Sequence, residues 1–377
     1  MATQRIIDFL ATRRPTGPCL VVDLDVVEDN FNAFRKALPD SSIYYAVKAN
    51  PAPEILRLLA SLGSSFDCAS VTEIEMALDA GATASRISFG NTIKKERDVA
   101  AAHVLGVSLF AVDCVEEVEK IARAAPGARV FCRVLTDGAG AEWPLSRKFG
   151  CVPAMAIEVL EHAHRLGLGA TGVSFHVGSQ QTNTEAWDGA LADAAHVFET
   201  LAERGIVLTL VNMGGGFPTR YLKDVPTAQA YGRSIFAGLK RHFGNQLPET
   251  IIEPGRGMVG DAGVIKAEVV LVSKKSTADE NRWVYLDIGK FGGLAETMDE
   301  AIRYPIVTER DADAKTPCVL AGPTCDSADV MYEKTPYPLP VSLTIGDEVL
   351  IEGTGAYTTT YASVAFNGFE PLRAYVI

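Results

Sequence analysis

The feature that most constrains this chain is an alternation that sets in at residue 43. Short apolar runs at 43–47, 64–67, 86–90, 107–112, 129–135, 172–177, 207–213 and 250–253 read as buried strands. Helical patterns fall between them, at 53–62, 71–80, 95–105, 115–124, 154–166, 184–204 and 227–243. Ser70-x-x-Glu73 is a capping box at the start of one of these helices. Eight strands alternating with helices predict a (β/α)8 TIM-like barrel. A doubly wound open sheet is the rival, but no G-x-G-x-x-G opens a first βαβ unit. A strand at 18–24 and a helix at 26–38 precede the alternation.

After Gly260 the texture changes. Runs at 264–272, 282–288, 317–320 and 348–352 are β-like, 372–376 closes the chain, and Gly and Pro punctuate them. This predicts a C-terminal all-β domain, sandwich or barrel-like. The expected division is 24–262 for the barrel and 263–377, with 1–23, for the β domain. A length of 377 residues suits one large and one smaller domain. The net charge of −12, with no basic cluster, argues against nucleic acid and anionic membranes as partners. No apolar run reaches the ~18 residues of a membrane helix, and the first ten residues are too polar for a secretory leader. Seven cysteines, an odd number without a C-x-x-C, predict free thiols in a reducing cytoplasm. The six histidines form no metal-ligand pattern, so no metal is expected.

Barrels of this kind place their chemistry at the C-terminal ends of the strands. The first run ends in Lys48, which Asn50-Pro51 follows, and the second in Asp67. The sixth runs into His176 and Ser179, the seventh into Gly214-Gly215-Gly216, and the eighth into Glu253-Pro254-Gly255-Arg256. Each has a bland alternative: a lysine that snorkels to solvent, a core histidine, a glycine turn, a Glu–Arg ion pair. Five such ends on one face form a coherent set. The glycines and Arg256 suit a phosphate, with Ser179 as a further donor. His176 can stack on a flat ring, Glu253 can pair with a protonated ring nitrogen, and Lys48 can hold an aldehyde as a Schiff base. Together they describe pyridoxal 5'-phosphate.

The motifs Y-A-V-K-A-N (45–50), F-D-C-A-S (66–70), F-H-V-G-S (175–179), G-G-G-F-P (214–218), E-P-G-R (253–256), G-P-T-C-D (322–326) and G-A-Y-T (355–358) span nearly the whole chain. In this order they resemble the fold-type III pyridoxal-phosphate decarboxylases, and among them the bacterial ornithine/lysine branch. The resemblance implies a barrel followed by a β-sandwich-like domain, and a homodimer with shared active sites. It implies that Lys48 carries the cofactor, Asp67 tunes its charge, His176 stacks on the ring and Glu253 keeps the ring nitrogen protonated. Ser179, Gly216, Arg256 and Tyr357 would hold the phosphate. Cys325 would reprotonate the substrate carbon, and Asp299 and Asp326 would receive a distal ammonium.

The implied reaction is decarboxylation of L-ornithine, with L-lysine also accepted, to putrescine or cadaverine. One methylene is worth only roughly 1–3 kcal/mol, so the two substrates are hard to separate. The alternatives are decarboxylases of meso-diaminopimelate, arginine or carboxynorspermidine. Arg303 could serve the second carboxylate of the first of these. A non-catalytic binding relative would lack Lys48 or Cys325, and both are present. The chain also departs from eukaryotic relatives. Pro144 aligns with an arginine that they carry before K-F-G (148–150), which leaves the partner of Asp67 open. No extension is expected after Ile377.

Overall fold

The structure is a computed structural model that describes residues 2–143 and 148–377. It falls into two compact units, one of Glu28–Pro218 with Val225–Gly257 and the other of Met1–Val27, Thr219–Asp224 and Met258–Ile377.

The first unit holds a closed barrel of eight parallel strands: Ser41–Ala46, Ser65–Cys68, Ile87–Phe89, Leu109–Val112, Arg129–Arg133, Gly169–Ser174, Leu210–Asn212 and Glu249–Ile252. The last pairs with the first, Ile252 against Ile43, and closes the ring. Helices Pro53–Ser61, Val71–Asp79, Glu96–Val104, Val115–Ala124, Pro153–Arg165, Ala186–Glu203 and Ala228–Phe243 lie between the strands in sequence. Local chemistry starts several of them. Pro53 occupies the first turn of its helix, where its missing N–H costs nothing. At the capping box Ser70 Oγ accepts from the Glu73 amide at 3.2 Å, while the Glu73 carboxylate reaches Ala69 N–H at 2.6 Å. Tyr44, Leu109, Ala111, Phe131, Leu210 and Ile251 meet as a buried cluster that fills the barrel. Side chains alternate along a strand, so residues two positions further on face the same interior.

The second unit is built on an eight-stranded, mostly antiparallel sheet. Gly263–Ser273 is its spine, paired with Arg282–Leu286, Glu348–Glu352 and Cys19–Val22. Cys19–Val22 also pairs in parallel with the closing strand Arg373–Val376. Two strands, Ile306–Thr308 and Val330–Pro340, have no counterpart in the sequence reading. The second carries Pro336, Pro338 and Pro340, which read as breakers. It is tolerated because it lies at the sheet edge, paired among the described strands with Lys315–Ala321 alone, where a missing N–H can face outward. The N-terminal helix Gln4–Arg13, with Thr3 as its cap, was likewise not anticipated. Among the described residues no helix is long and apolar enough to cross a membrane.

The barrel leaves no room at Gly172, where an added Cβ would lie 1.8 Å from the Leu210 carbonyl oxygen. Gly189, on the helix Ala186–Glu203, has nothing within 4 Å of the same position. Gly172→Ala should therefore cost about 1–3 kcal/mol. Gly189→Ala should instead gain about 0.5–1 kcal/mol from its helix propensity. Urea unfolding of both variants checks this, and equal effects would contradict the packing described.

Candidate active site

The first strand ends at Ala46, and Lys48 stands on the short 3-10 turn Val47–Ala49 that follows. Tyr45 Oη donates to the Asn50 carbonyl at 2.8 Å, and Asn50 Oδ1 takes the Ala52 amide at 3.2 Å, so the turn is fixed from both ends. The lysine side chain is 51% exposed, although both its neighbours are buried. The turn swings it off the strand end and out of the packed layer. Its ammonium lies 3.5 Å from Asp67 Oδ2. Asp67 is 4% exposed and also accepts from Ser88 Oγ at 3.4 Å. The barrel register explains this grouping, since Ala46, Asp67 and Ser88 are side-by-side partners on adjacent parallel strands.

Opposite them, the fifth to eighth strands put Arg133, Ser174, Asn212 and Ile251 in register. Glu253 follows Ile251 by two positions and so shares its face. Asn212 Nδ2 donates to Glu253 Oε1, and Asn212 Oδ1 accepts from Gly214 N–H at 3.0 Å. Burial and the repulsion of Asp67 push the Glu253 carboxyl up to about 7, against the pull of Lys48, Asn212 and Arg133. The His176 ring accepts at Nδ1 from Gly178 N–H at 3.0 Å. Burial and the cations Arg133 and Lys48 push its pKa down to about 3, so the ring is neutral at physiological pH. An added Cβ on Gly215 would sit 2.5 Å from the Glu253 carbonyl and 3.4 Å from His176 Nε2, so only glycine lets the loop pass this close to both.

A donor-rich rim lies alongside. Arg256 is 3% exposed, and its Nε and Nη2 reach Ser179 Oγ at 3.3 and 3.2 Å. Two residues on, the Gln181 amide donates to the Gly216 carbonyl at 2.9 Å, which ties this strand to the glycine loop. Gly216 has φ +100, and an added Cβ would meet the Gly178 carbonyl at 2.5 Å. Trp187 stacks on Phe217 at 5.1 Å and donates to the Met213 carbonyl at 3.1 Å, which stiffens the loop from behind.

The profile of the family described as the pyridoxal binding domain of pyridoxal-dependent decarboxylases matches residues 24–260. The chain belongs to this family. A lysine/ornithine decarboxylase of Selenomonas ruminantium is 37% identical over 369 residues, which cover 97% of this chain and 91% of that protein. The crystal structure of a lysine/ornithine decarboxylase complexed with cadaverine from Vibrio vulnificus matches with a TM-score of 0.89 at 31% identity, covering 100% of both chains. That of the arginine decarboxylase of the Paramecium bursaria Chlorella virus matches with a TM-score of 0.90 at 28% identity, covering 99% of both.

The donor set of this decarboxylase fits the cofactor its family is named for. A guanidinium and a hydroxyl beside a glycine loop suit a phosphate. A neutral imidazole offers a flat apolar face, and a carboxyl already near neutrality regains its charge once a cation pairs with it. The remaining expected residues belong to the second unit. Cys325 is exposed, and its amide donates to Asn367 Oδ1 at 2.9 Å. Asp326 Oδ1 accepts from the Ala328 amide at 2.9 Å. Asp299, at φ +53, pairs with Lys334 at 3.3 Å. Tyr357, at φ +55, lies with its ring 5.7 Å from that of Tyr361.

Two residues escaped the sequence reading. Arg133 faces the interior beneath Phe149, whose ring centroid is 5.2 Å away, and it acts electrostatically on Asp67, Glu253 and His176. It is a further cation acting on Asp67, beside Lys48 at 3.5 Å; Pro144 itself lies outside the described residues. Asn212 is the second. The signal for both was their period-two spacing from the core residues Phe131 and Leu210.

The raised Glu253 carboxyl has a consequence for stability. Between its ordinary 4.5 and about 7 the folded chain binds a proton that the unfolded chain does not. Its contribution to stability therefore falls as pH rises through that window. Glu253→Gln removes the titration and keeps an acceptor for Asn212. Without cofactor, the variant should gain on the parent in thermal midpoint between pH 5 and pH 8. A gap independent of pH would contradict the assignment.

Proposed function

We propose that this decarboxylase removes the α-carboxylate of a basic amino acid, L-ornithine foremost and L-lysine second, to give putrescine or cadaverine in polyamine biosynthesis. The observation that carries this reading is the shared inward face, with Lys48 beside Asp67 and Glu253 beside Asn212. It occurs in a chain similar over 97% of its length to a lysine/ornithine decarboxylase. Bound pyridoxal 5'-phosphate supplies an electron sink for the pair left at Cα when CO2 departs.

The chain's own residues do the rest. Lys48 would hold the cofactor through its Nζ, the place that the substrate's α-amine would take over. Asp67 holds the lysine in position by charge. Glu253, ionised by a cationic partner, would keep a ring nitrogen protonated, and His176 would cover the ring face. Ser179, Gly214, Gly215, Gly216, Arg256 and Tyr357 would hold the phosphate. Cys325 then gives its S–H proton to Cα as general acid. Asp299 already holds one ammonium, that of Lys334, and with Asp326 it offers carboxylates to the substrate's distal charge. Cys325 and Asp326 serve the barrel of a second copy in a cytoplasmic homodimer.

A meso-diaminopimelate activity needs a cation for the second carboxylate. Arg303, the residue that could supply it, is engaged by Glu300 at 2.9 Å and lies over the rings of Tyr332 and Tyr337. That counts against the substrate. The similarity to a viral arginine decarboxylase keeps arginine as the second reading.

The test is CO2 release from ornithine, lysine, arginine and meso-diaminopimelate at equal concentration, with added pyridoxal 5'-phosphate. Release should be greatest from ornithine, measurable from lysine, and absent for Lys48→Ala. Release from arginine or meso-diaminopimelate alone would overturn the substrate assignment, and full turnover by Lys48→Ala would overturn the mechanism.

A further inference from the structure

Cys325 lies between the strands Lys315–Ala321 and Val330–Pro340, in a loop held from two sides. On one side is Asp329, which is 2% exposed. Its Oδ1 accepts from the Lys290 amide at 2.8 Å, and its Oδ2 accepts from the Thr324 amide at 3.2 Å and from Thr324 Oγ1 at 2.8 Å. There is no slack around it: an added Cβ would lie 2.1 Å from Asp329 Oδ1 at Gly289 and 2.3 Å from Oδ2 at Gly322. The Gly322 amide donates to the Asp329 carbonyl at 2.8 Å and the Asp329 amide to the Asp326 carbonyl at 3.0 Å, so the loop closes on itself. Burying a carboxylate is costly, and here three donors offset that cost across two chain segments.

On the other side Asn367 Oδ1 accepts from the amide of Cys325 itself at 2.9 Å. Asn367 is exposed and packs into no core. It has φ +52, and Ala365, two residues before it, has φ +58. Asparagine tolerates the left-handed region, whereas alanine pays for it. The turn thus accepts backbone strain to bring one side-chain oxygen to one amide.

We propose that Asn367 and Asp329 are positioning residues for the Cys325 thiol, Asn367 gripping its amide and Asp329 fixing the base of its loop. This rests on the role of Cys325 as proton donor given above. The thiol's S–H bond breaks, the proton goes to Cα, and the thiolate is reprotonated by solvent. Such a transfer needs the donor within hydrogen-bond reach, and an error of about 1 Å costs up to about a hundredfold.

Asn367→Gly removes the acceptor, and glycine adopts φ +52 without strain. It should lower kcat by about tenfold to a hundredfold with KM nearly unchanged. It should also speed amide hydrogen exchange across 322–329 in the protein without cofactor. Asn367→Asp keeps an oxygen at the same place and should restore both. Asp329→Asn puts an NH2 against one set of donors and should speed exchange in the same segment. Unchanged exchange and unchanged kcat in Asn367→Gly would overturn the proposal, as would faster exchange with unchanged kcat. Cys325→Ala separates the two claims. If it releases CO2 at the parental rate, the role of Cys325 falls, while the exchange data still report on the clamp.

Discussion

Two acids and two bases share the interior face of the barrel mouth, and the behaviour of the site follows from their balance. Asp67 raises the proton affinity of Glu253, while Lys48 and Arg133 lower it. Their backbone positions are set by strand register or by the turn just past a strand end. Ala46, Asp67 and Ser88 are neighbours in the parallel ladder, and so are Arg133, Ser174 and Asn212. Adjacent strands stand about 4.8 Å apart, which sets the spacing of the charges. His176 stays neutral beside the two cations, so one uncharged flat ring sits among charged groups. Preorganised charge of this kind acts without reorganisation at the moment of reaction.

The barrel was legible because parallel strands covered on both faces read as apolar runs, and because capping and proline signals mark the helices between them. Lys48, His176, the glycine loop and Glu253-x-x-Arg256 were legible because each ends such a run with a residue the run does not need. Arg133 and Asn212 were not. A polar residue at a strand end looks the same whether it faces the interior or the helices, and only the register of the whole barrel tells them apart. The turn that carries Lys48 was missed for a related reason: Val47 continues the apolar run by type while its backbone has already left the ladder.

The second unit was read less completely. Its proline-rich edge strand Val330–Pro340 violates the composition of strands in general, though not of edges. Cys325 was visible through its motif, but the residues that hold it were not. Asn367 lies 42 positions away, and a contact over that distance leaves no periodic trace. Asp299 and Glu300 are both left-handed, a conformation no propensity predicts for two acids in a row. The Glu300 carboxylate accepts from the amides of Glu333, Lys334 and Thr335, which fixes the turn beside Asp299.

Lys48, presented on its turn 3.5 Å from Asp67, is the residue proposed to hold the cofactor. The most direct test is to mix the purified protein with pyridoxal 5'-phosphate, reduce it with borohydride, digest it and map the modified lysine by mass spectrometry. The adduct should fall on Lys48 at one per chain. An adduct on any other lysine, with Lys48 unmodified, would contradict it.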